Sequence, residues 1–145
     1  MQCYGYSWEA GQSKQVVYQT ADHHIHELYV TVGGTWQHAD LTAITGAPPA
    51  HQIIEGYSWS MGRSKSSKQV VFRTVTGHIH ELYMIKGGTW QHADLTDITG
   101  APPAWQIRNG YSWKAGKAKQ VVYQTVDLHI HELSVVKGGR GSTAT

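Results

Sequence analysis

The sequence has few of the features that define several large protein classes. Charged side chains make up only 15% of its 145 residues, and the net charge is +2 with histidines neutral. The basic residues are scattered, so the chain has no electrostatic footprint for nucleic acid. No apolar run approaches the roughly 20 residues that a membrane-spanning helix needs. We therefore expect neither nucleic acid nor a membrane as a partner.

Cysteine and catalytic motifs are also scarce. Cys3 is the single cysteine, which excludes an internal disulfide framework. The first residues lack the basic and apolar regions of a signal peptide, so we expect a soluble protein in an unspecified compartment. No nucleophile motif, phosphate-binding loop or zinc signature is found. We expect a protein that is not an enzyme and has no cofactor.

The sequence does contain a clear tandem repeat. Gly5-Tyr-Ser-Trp8 recurs at Gly56–Trp59 and at Gly110–Trp113, at offsets of 51 and 54 residues. The segment Gly33–Thr42 recurs unchanged at Gly87–Thr96. Internal repeats of this length indicate a modular architecture.

Each repeat contains four short segments rich in Val, Ile, Tyr, Trp and Thr, a pattern typical of strands. Four strands in about 50 residues are typical of a β-propeller blade. The Gly-Ala-Pro-Pro-Ala stretch is unsuited to a strand or helix interior and predicts an extended connector between units. We predict an all-β fold of four-stranded antiparallel blades. Its units are residues 1–55, residues 56–109 and a partial third blade at residues 110–139.

The third unit predicts only three strands. The Thr-Trp-Gln-His-Ala-Asp-Leu segment does not follow residues 137–139, and residues 140–145 predict a disordered tail. The chain then has about 2.75 blades, whereas a propeller closes with 4–8. An open arc leaves an apolar face and a strand edge at each end. We expect oligomerisation to complete the ring, with a homodimer of six blades as the favoured arrangement.

Two kinds of residue recur in positions that suit sugar binding. Trp36 and Trp90 lie beside polar Gln and His, although a large aromatic in each blade is also an ordinary core residue. A glutamate follows each His-x-His pair and points to the opposite face, where it could bind sugar hydroxyls or accept backbone N–H bonds in a turn. These glutamates are Glu27, Glu81 and Glu132.

A His-x-His pair recurs in each unit. Residues i and i+2 of a strand lie on one face, roughly 7 Å apart, and two imidazoles so placed can chelate a transition metal. No carboxylate or cysteine completes an obvious ligand set in the sequence, so we favour a structural role and keep a metal site as the alternative. The pairs are His24/His26, His78/His80 and His129/His131.

Several motifs together resemble repeats of bacterial β-propeller proteins grouped with tachylectin-like and fucose-binding propeller lectins. They are Gln-Val-Val-Phe-Arg-Thr, Gly-His-Ile-His-Glu-Leu, Trp-Gln-His-Ala-Asp-Leu-Thr and Thr-Gly-Ala-Pro-Pro-Ala, and the resemblance covers residues 4 to about 139.

The resemblance implies shallow sugar sites between blades, each using an Arg, a Glu and an aromatic residue, here matched in type by Arg73, Glu81 and Trp90. Gln19 and Gln124 replace the arginine in the other units, which departs from the fucose-binding pattern. The implied function is lectin-like binding through weak, multivalent sites. The alternative is an engineered or structural self-assembling propeller fragment with no natural ligand.

Overall fold

The computed structural model describes residues 2–60, 65–114, 117–136 and 142–144, and these form three four-stranded antiparallel sheets. Sheet 1 contains β1 (Cys3–Trp8), β2 (Ser13–Gln19), β3 (Ile25–Thr31) and β4 (Gln37–Asp40). Sheet 2 contains β5 (Gln52–Ser60), β6 (Ser66–Arg73), β7 (Ile79–Ile85) and β8 (Gln91–Asp94). Sheet 3 contains β9 (Gln106–Trp113), β10 (Ala118–Gln124), β11 (Ile130–Val136) and β12 (Ser142–Ala144).

Strands that are consecutive in sequence are neighbours in each sheet, which confirms the predicted four-stranded units. The Gln-Val-Val segments form the second strands β2, β6 and β10. β6 is buried along almost its whole length, whereas buried residues are interspersed with more exposed ones along β2. The difference arises because sheet 2 has a neighbour on both faces and sheet 1 has a neighbour on one.

The end of the chain differs from the prediction. Ser142–Ala144 pairs antiparallel with β11, with Thr143 opposite Leu133, and so provides a short fourth strand for sheet 3. The predicted third blade therefore has a fourth strand, which is formed by residues 142–144 of the predicted disordered tail. The remaining tail residues, 140, 141 and 145, lie outside the described residues, as do 137–139.

A short helix follows the fourth strand of sheets 1 and 2. These helices, α1 (Leu41–Thr45) and α2 (Leu95–Thr99), begin after Asp40 and Asp94, whose carboxylates accept hydrogen bonds from backbone N–H groups of the first turn. Gly46 and Gly100 end them with φ of 66° and 65°, a conformation that favours glycine. No helix of the described residues has the length and apolarity to cross a membrane.

The predicted Pro-Pro connectors are confirmed as links between sheets. In the first, Ala50 N–H donates to the His23 carbonyl at 2.9 Å, and His51 N–H donates to the Arg73 carbonyl at 2.7 Å. The connector therefore crosses a turn of sheet 1 and joins the edge of sheet 2. The second connector repeats this arrangement, with Ala104 bonded to Gly77 and Trp105 bonded to Gln124.

The sheets pack against one another mainly through their first strands, β1, β5 and β9. Tyr6 of β1 lies over Gly56 of β5, so closely that a Cβ atom at Gly56 would come within 2.6 Å of the tyrosine ring. Tyr57 lies over Gly110 in the same way, with a distance of 3.1 Å. The recurring Gly-Tyr pair therefore docks each sheet on the next.

Candidate functional site

The contacts between adjacent sheets include a buried ion pair. Lys68 of sheet 2 places its Nζ 2.8 Å from Oε1 and 3.0 Å from Oε2 of Glu27 in sheet 1, and both side chains are almost completely buried. Lys119 of sheet 3 pairs with Glu81 of sheet 2 in the same way. The repeat therefore supplies one lysine–glutamate pair at each junction between sheets.

Aromatic rings surround the Lys68 ammonium group. Its Nζ lies 4.8 Å from the ring centroid of Trp90, 5.3 Å from that of Tyr29 and 5.6 Å from that of Trp8. Such contacts stabilise a cation removed from water. Burial raises the pKa of Glu27, an effect that the Lys68 charge opposes, and burial lowers the pKa of Lys68.

These contacts correct part of the predicted sugar site. Glu27 and Glu81 are 0% and 2% exposed, so a ligand arriving from solvent cannot reach them. Trp90 is also buried, against Lys68. Trp36, its counterpart in sheet 1, is 55% exposed because no sheet covers that face of sheet 1. The geometry thus places Glu27, Glu81 and Trp90 in contacts between sheets, and leaves Trp36 on the uncovered face of sheet 1.

Glu132 and Arg73 occupy different surroundings. Glu132 accepts a hydrogen bond from the Tyr111 hydroxyl at 3.4 Å on the outer face of sheet 3. Arg73 lies at the end of β6 and lines a solvent-accessible cleft between sheets 2 and 3. The Nε of Arg73 is buried and has no hydrogen-bond partner among the described residues.

Two similar clefts lie where the Pro-Pro connectors cross between sheets. The first cleft has a volume of about 570 Å³. Pro48, Pro49 and His51 of the connector line it, together with His78 and His80 of sheet 2. The second cleft has a volume of about 580 Å³ and lies between sheets 2 and 3. The residues that line it at the equivalent positions of the repeat are Pro102, Pro103, Trp105, His129 and His131.

The His-x-His pairs of sheets 2 and 3 thus lie in the walls of these clefts, and in sheets 1 and 2 both histidines of the pair approach one carboxylate. In sheet 2, His78 Nδ1 is 2.8 Å from Asp94 Oδ2, and His80 Nε2 is 3.6 Å from the same oxygen. In sheet 1, the matching distances from His24 and His26 to Asp40 are 2.8 Å and 3.8 Å. We expected no carboxylate to accompany these histidines, but the fold places Asp40 and Asp94 beside two of the pairs.

The electrostatics of the sheet 2 cluster follow from burial and hydrogen bonding. Burial lowers the pKa of His80 to about 4, so its imidazole is neutral at pH 7. Burial acts to raise the pKa of Asp94, but hydrogen bonds from His78 and from the Asp97 backbone outweigh it and the net pKa is lowered. The cluster therefore presents an ionised carboxylate beside a neutral imidazole.

Sequence reasoning did not identify the connector residues that line the clefts. Pro48 and Pro49 carry no chemical signature of a site. The units do differ in sequence at two positions that could have indicated these clefts. Trp105 takes the place of His51, and Gly77 takes the place of His23. Both of these variable positions lie at a cleft.

Comparison with known proteins establishes the architecture. No protein-family model and no curated protein matches the sequence. An arginine-to-alanine triple variant of AofleA from Arthrobotrys oligospora superposes with a TM-score of 0.69 at 14% identity, over 99% of this chain and 40% of that chain. The BP39L lectin from Burkholderia pseudomallei superposes with a TM-score of 0.64 at 12% identity, over 96% of this chain and 39% of that chain.

Both of these structures are β-propellers. The chain folds as part of a β-propeller. It spans about two fifths of the length of each of the two proteins. This confirms the predicted blades of four antiparallel strands, with the three sheets as consecutive blades. At such low identities the likeness establishes the fold alone.

Proposed function

We propose that the chain is a carbohydrate-binding module, without catalysis, whose sites are the clefts between adjacent sheets. The observation that supports this most directly is the repetition of the cleft, with closely similar volumes of about 570 and 580 Å³. Both volumes fall within the range of roughly 300–1,000 Å³ that is typical of small-molecule sites. A repeated site of this size suits one or two sugar rings.

The chemistry of the second cleft suits a sugar. Trp105 is 47% exposed, so its ring can stack on the C–H face of a pyranose. Pro102 and Pro103 extend this apolar surface. Arg73 offers guanidinium donors, and Asp127 offers carboxylate acceptors for sugar hydroxyls.

The first cleft has a similar lining that is more polar than that of the second cleft. His51 replaces the tryptophan, and the Asp94 carboxylate lies in the wall. The two clefts should therefore bind the same class of ligand with unequal affinity. The shared fold with the BP39L lectin is consistent with this assignment. Several weak sites on one rigid body would act together through avidity.

Ring closure by a second copy is the second part of the proposal. In the part of the chain that the structure describes, no glutamate pairs with Lys14 and no lysine pairs with Glu132. These residues match Lys68 and Glu81 in the repeat. Lys14 of one copy would thus pair with Glu132 of another, as Lys68 pairs with Glu27 within the chain.

One tyrosine and one glycine on the two outer faces also support this contact. Tyr111 is exposed on sheet 3, and the space above Gly5 on sheet 1 is open. Docking Tyr111 over Gly5 would repeat the contact of Tyr6 with Gly56. The same contact would cover Leu28 and Trp36. Two copies joined in this way at both ends give a closed ring of six sheets with two-fold symmetry.

A glycan array followed by titration calorimetry tests the binding proposal. We expect millimolar to micromolar binding of at least one sugar class, and a loss of about tenfold, or about 1.4 kcal/mol, in the second cleft for Trp105→Ala. Ile98→Ala, which removes an exposed apolar side chain on α2, is the matched control. An intact ring that binds no glycan would refute the carbohydrate proposal and favour a structural self-assembling role.

A further inference from the structure

Sheet 2 brings two imidazoles and a carboxylate together at the wall of the first cleft. His78 immediately precedes β7, His80 is the second residue of that strand, and Asp94 ends the adjacent strand β8. One potential ligand atom from each of the three residues lies within 4.8 Å of the other two. His80 and Asp94 are opposite each other in the register of β7 and β8, Asp94 also caps α2, and His78 is bonded to Asp94, so the fold holds the three side chains together.

We propose that His78, His80 and Asp94 bind a divalent first-row transition metal ion. Two imidazole nitrogens and one carboxylate oxygen form a donor set suited to Zn²⁺, Co²⁺, Ni²⁺ or Fe²⁺, and unlike the oxygen-only sets preferred by Ca²⁺ and Mg²⁺. This proposal does not require that the first cleft bind a carbohydrate.

Two of the distances between donor atoms are close to those around a bound metal ion. Ligand atoms about 2.0–2.2 Å from a tetrahedral Zn²⁺ ion lie roughly 3.3 Å from one another. His80 Nε2 is 3.6 Å from Asp94 Oδ2, which is close to that spacing and too long for a good hydrogen bond. His78 Nδ1 is 2.8 Å from the same oxygen. Replacing the shared proton with a metal ion would widen this contact by about half an ångström.

A fourth residue fixes the orientation of His80. His80 Nδ1 lies 2.7 Å from His92 Nε2, and the two rings are stacked with centroids 4.9 Å apart. When His80 donates its Nδ1–H to His92, its Nε2 carries the free lone pair and lies 3.6 Å from Asp94 Oδ2. A hydrogen bond from the distal ring nitrogen is the usual support for a histidine ligand. His92 is therefore a positioning residue in this proposal.

The cleft gives the ion a route to the site and leaves coordination positions open. His78 and Asp94 are partly exposed, with side-chain exposures of 36% and 27%, whereas His80 is 7% exposed. The open side faces the cleft formed by Pro48 and Pro49. Water or another oxygen ligand can complete the coordination from that side, as in metal sites with three protein ligands.

The other repeats provide internal comparisons. Sheet 1 repeats the contacts through His24, His26 and Asp40, and it adds Asp22 as a further donor beside the two histidines. In the described part of sheet 3, the grouping of three donors is not found. We therefore expect two sites in the chain, one in sheet 1 and one in sheet 2.

The test measures Zn²⁺ binding to the full chain after removal of metals with a chelator. Calorimetry should give two Zn²⁺ ions for each chain, and Co²⁺ should produce visible absorption bands of a nitrogen- and oxygen-ligated ion. Asp94→Asn should lower the number of bound ions by one while the helix cap is kept, because asparagine also caps helices well. Asp97→Ala, which introduces the residue found at position 43 of the first repeat, should leave the number unchanged.

Two results would overturn the proposal. One is that the unaltered chain fails to bind Zn²⁺ and Co²⁺. The other is that Asp94→Asn binds as many ions as Asp97→Ala. Thermal unfolding of both variants without metal confirms that they are folded, and His78→Asn provides a second variant that leaves the cap intact. Glycan binding measured in the presence of chelator separates failure of this proposal from failure of the carbohydrate proposal.

Discussion

Lys68 and Glu27 form an ion pair that joins two sheets, with Nζ 2.8 Å from Oε1 and both side chains almost fully buried. Charged groups removed from water destabilise a fold unless they are paired with good geometry. Here the carboxylate meets the ammonium group through both oxygens, and three aromatic rings surround the cation. The pair therefore meets this requirement at the junction of sheets 1 and 2.

Lys68→Met should destabilise the fold by about 3–5 kcal/mol, because it leaves the Glu27 carboxylate buried without a cation. The loss should depend on pH. Burial raises the pKa of Glu27, so in this variant the folded state binds a proton that the unfolded state has released above about pH 4.3. Stability then falls as pH rises from that value towards the folded-state pKa.

Urea denaturation at pH 5 and pH 8, at a fixed protein concentration, measures this effect. We expect a larger loss at pH 8 than at pH 5. The double variant Glu27→Gln/Lys68→Met should recover stability and lose the added pH dependence, because no buried charge remains. Equal losses for Lys68→Met at both pH values would contradict a buried, uncompensated carboxylate.

Charge exchange tests the proposed contact between two copies. The unaltered chain should have twice the 16.1 kDa chain mass in size-exclusion chromatography with light scattering. Lys14→Glu should give monomers, because it places two carboxylates together at the contact with Glu132. The double variant Lys14→Glu/Glu132→Lys should recover the dimer.

Lys86→Glu makes the same charge change at an exposed position just after β7 and should leave the dimer unchanged. A monomeric unaltered chain would rule out ring closure by two copies. Failure of the double variant to assemble, with Lys14→Glu monomeric, would show that the two residues do not contact each other.

Glycine substitutions distinguish contacts within the chain from contacts between copies. Gly56→Ala should destabilise the fold by about 1–3 kcal/mol, because its Cβ would lie 2.6 Å from the Tyr6 ring. Gly5→Ala should leave the stability of the monomer nearly unchanged, since the nearest atom to its Cβ is 3.8 Å away. Instead it should weaken the dimer, where Tyr111 would lie over Gly5. Denaturation and the concentration dependence of dimerisation measure the two effects, and the reverse pattern would contradict the proposed docking.

The repeated units and their four strands could be predicted from the sequence because each unit carries its own strand and turn signals. The burial of Glu27 and Trp90 could not be predicted from the sequence. The alternation of side chains along a strand shows which face a residue occupies, but it does not show what covers that face. Lys68 and Glu27 are 41 residues apart, and only the packing of two sheets brings them together. The recurrence of one lysine and one glutamate in every unit was the sequence signal for this pairing.

The clefts were harder to predict for a related reason. Each cleft combines a connector from one unit with residues of the next, so its lining comes from stretches that are far apart in the sequence. Asp94 and His78 meet because β7 and β8 are neighbours, with His80 opposite Asp94 in the register. Ser142–Ala144 lacks the sequence of the other fourth strands, and its pairing with β11 could not be inferred from the repeat.

Exchanging one residue between the two clefts tests the proposal that they bind sugar with unequal affinity. His51 and Trp105 occupy the same position of the connector and differ in the apolar surface that they offer. Trp105→His should weaken binding in the second cleft by about tenfold, because the indole stacking surface is lost. His51→Trp should strengthen the first cleft by a similar factor.

Calorimetry with the sugar identified on the array measures both variants. The unaltered chain should show two classes of site, and each single variant should reduce them to one class, weak for Trp105→His and strong for His51→Trp. Both substitutions place in one repeat a residue that the other repeat already accommodates, so thermal unfolding should change little. If the two variants bind with the same affinities and stoichiometries as the unaltered chain, the connector position does not contact the sugar, and the site must lie elsewhere on the sheets.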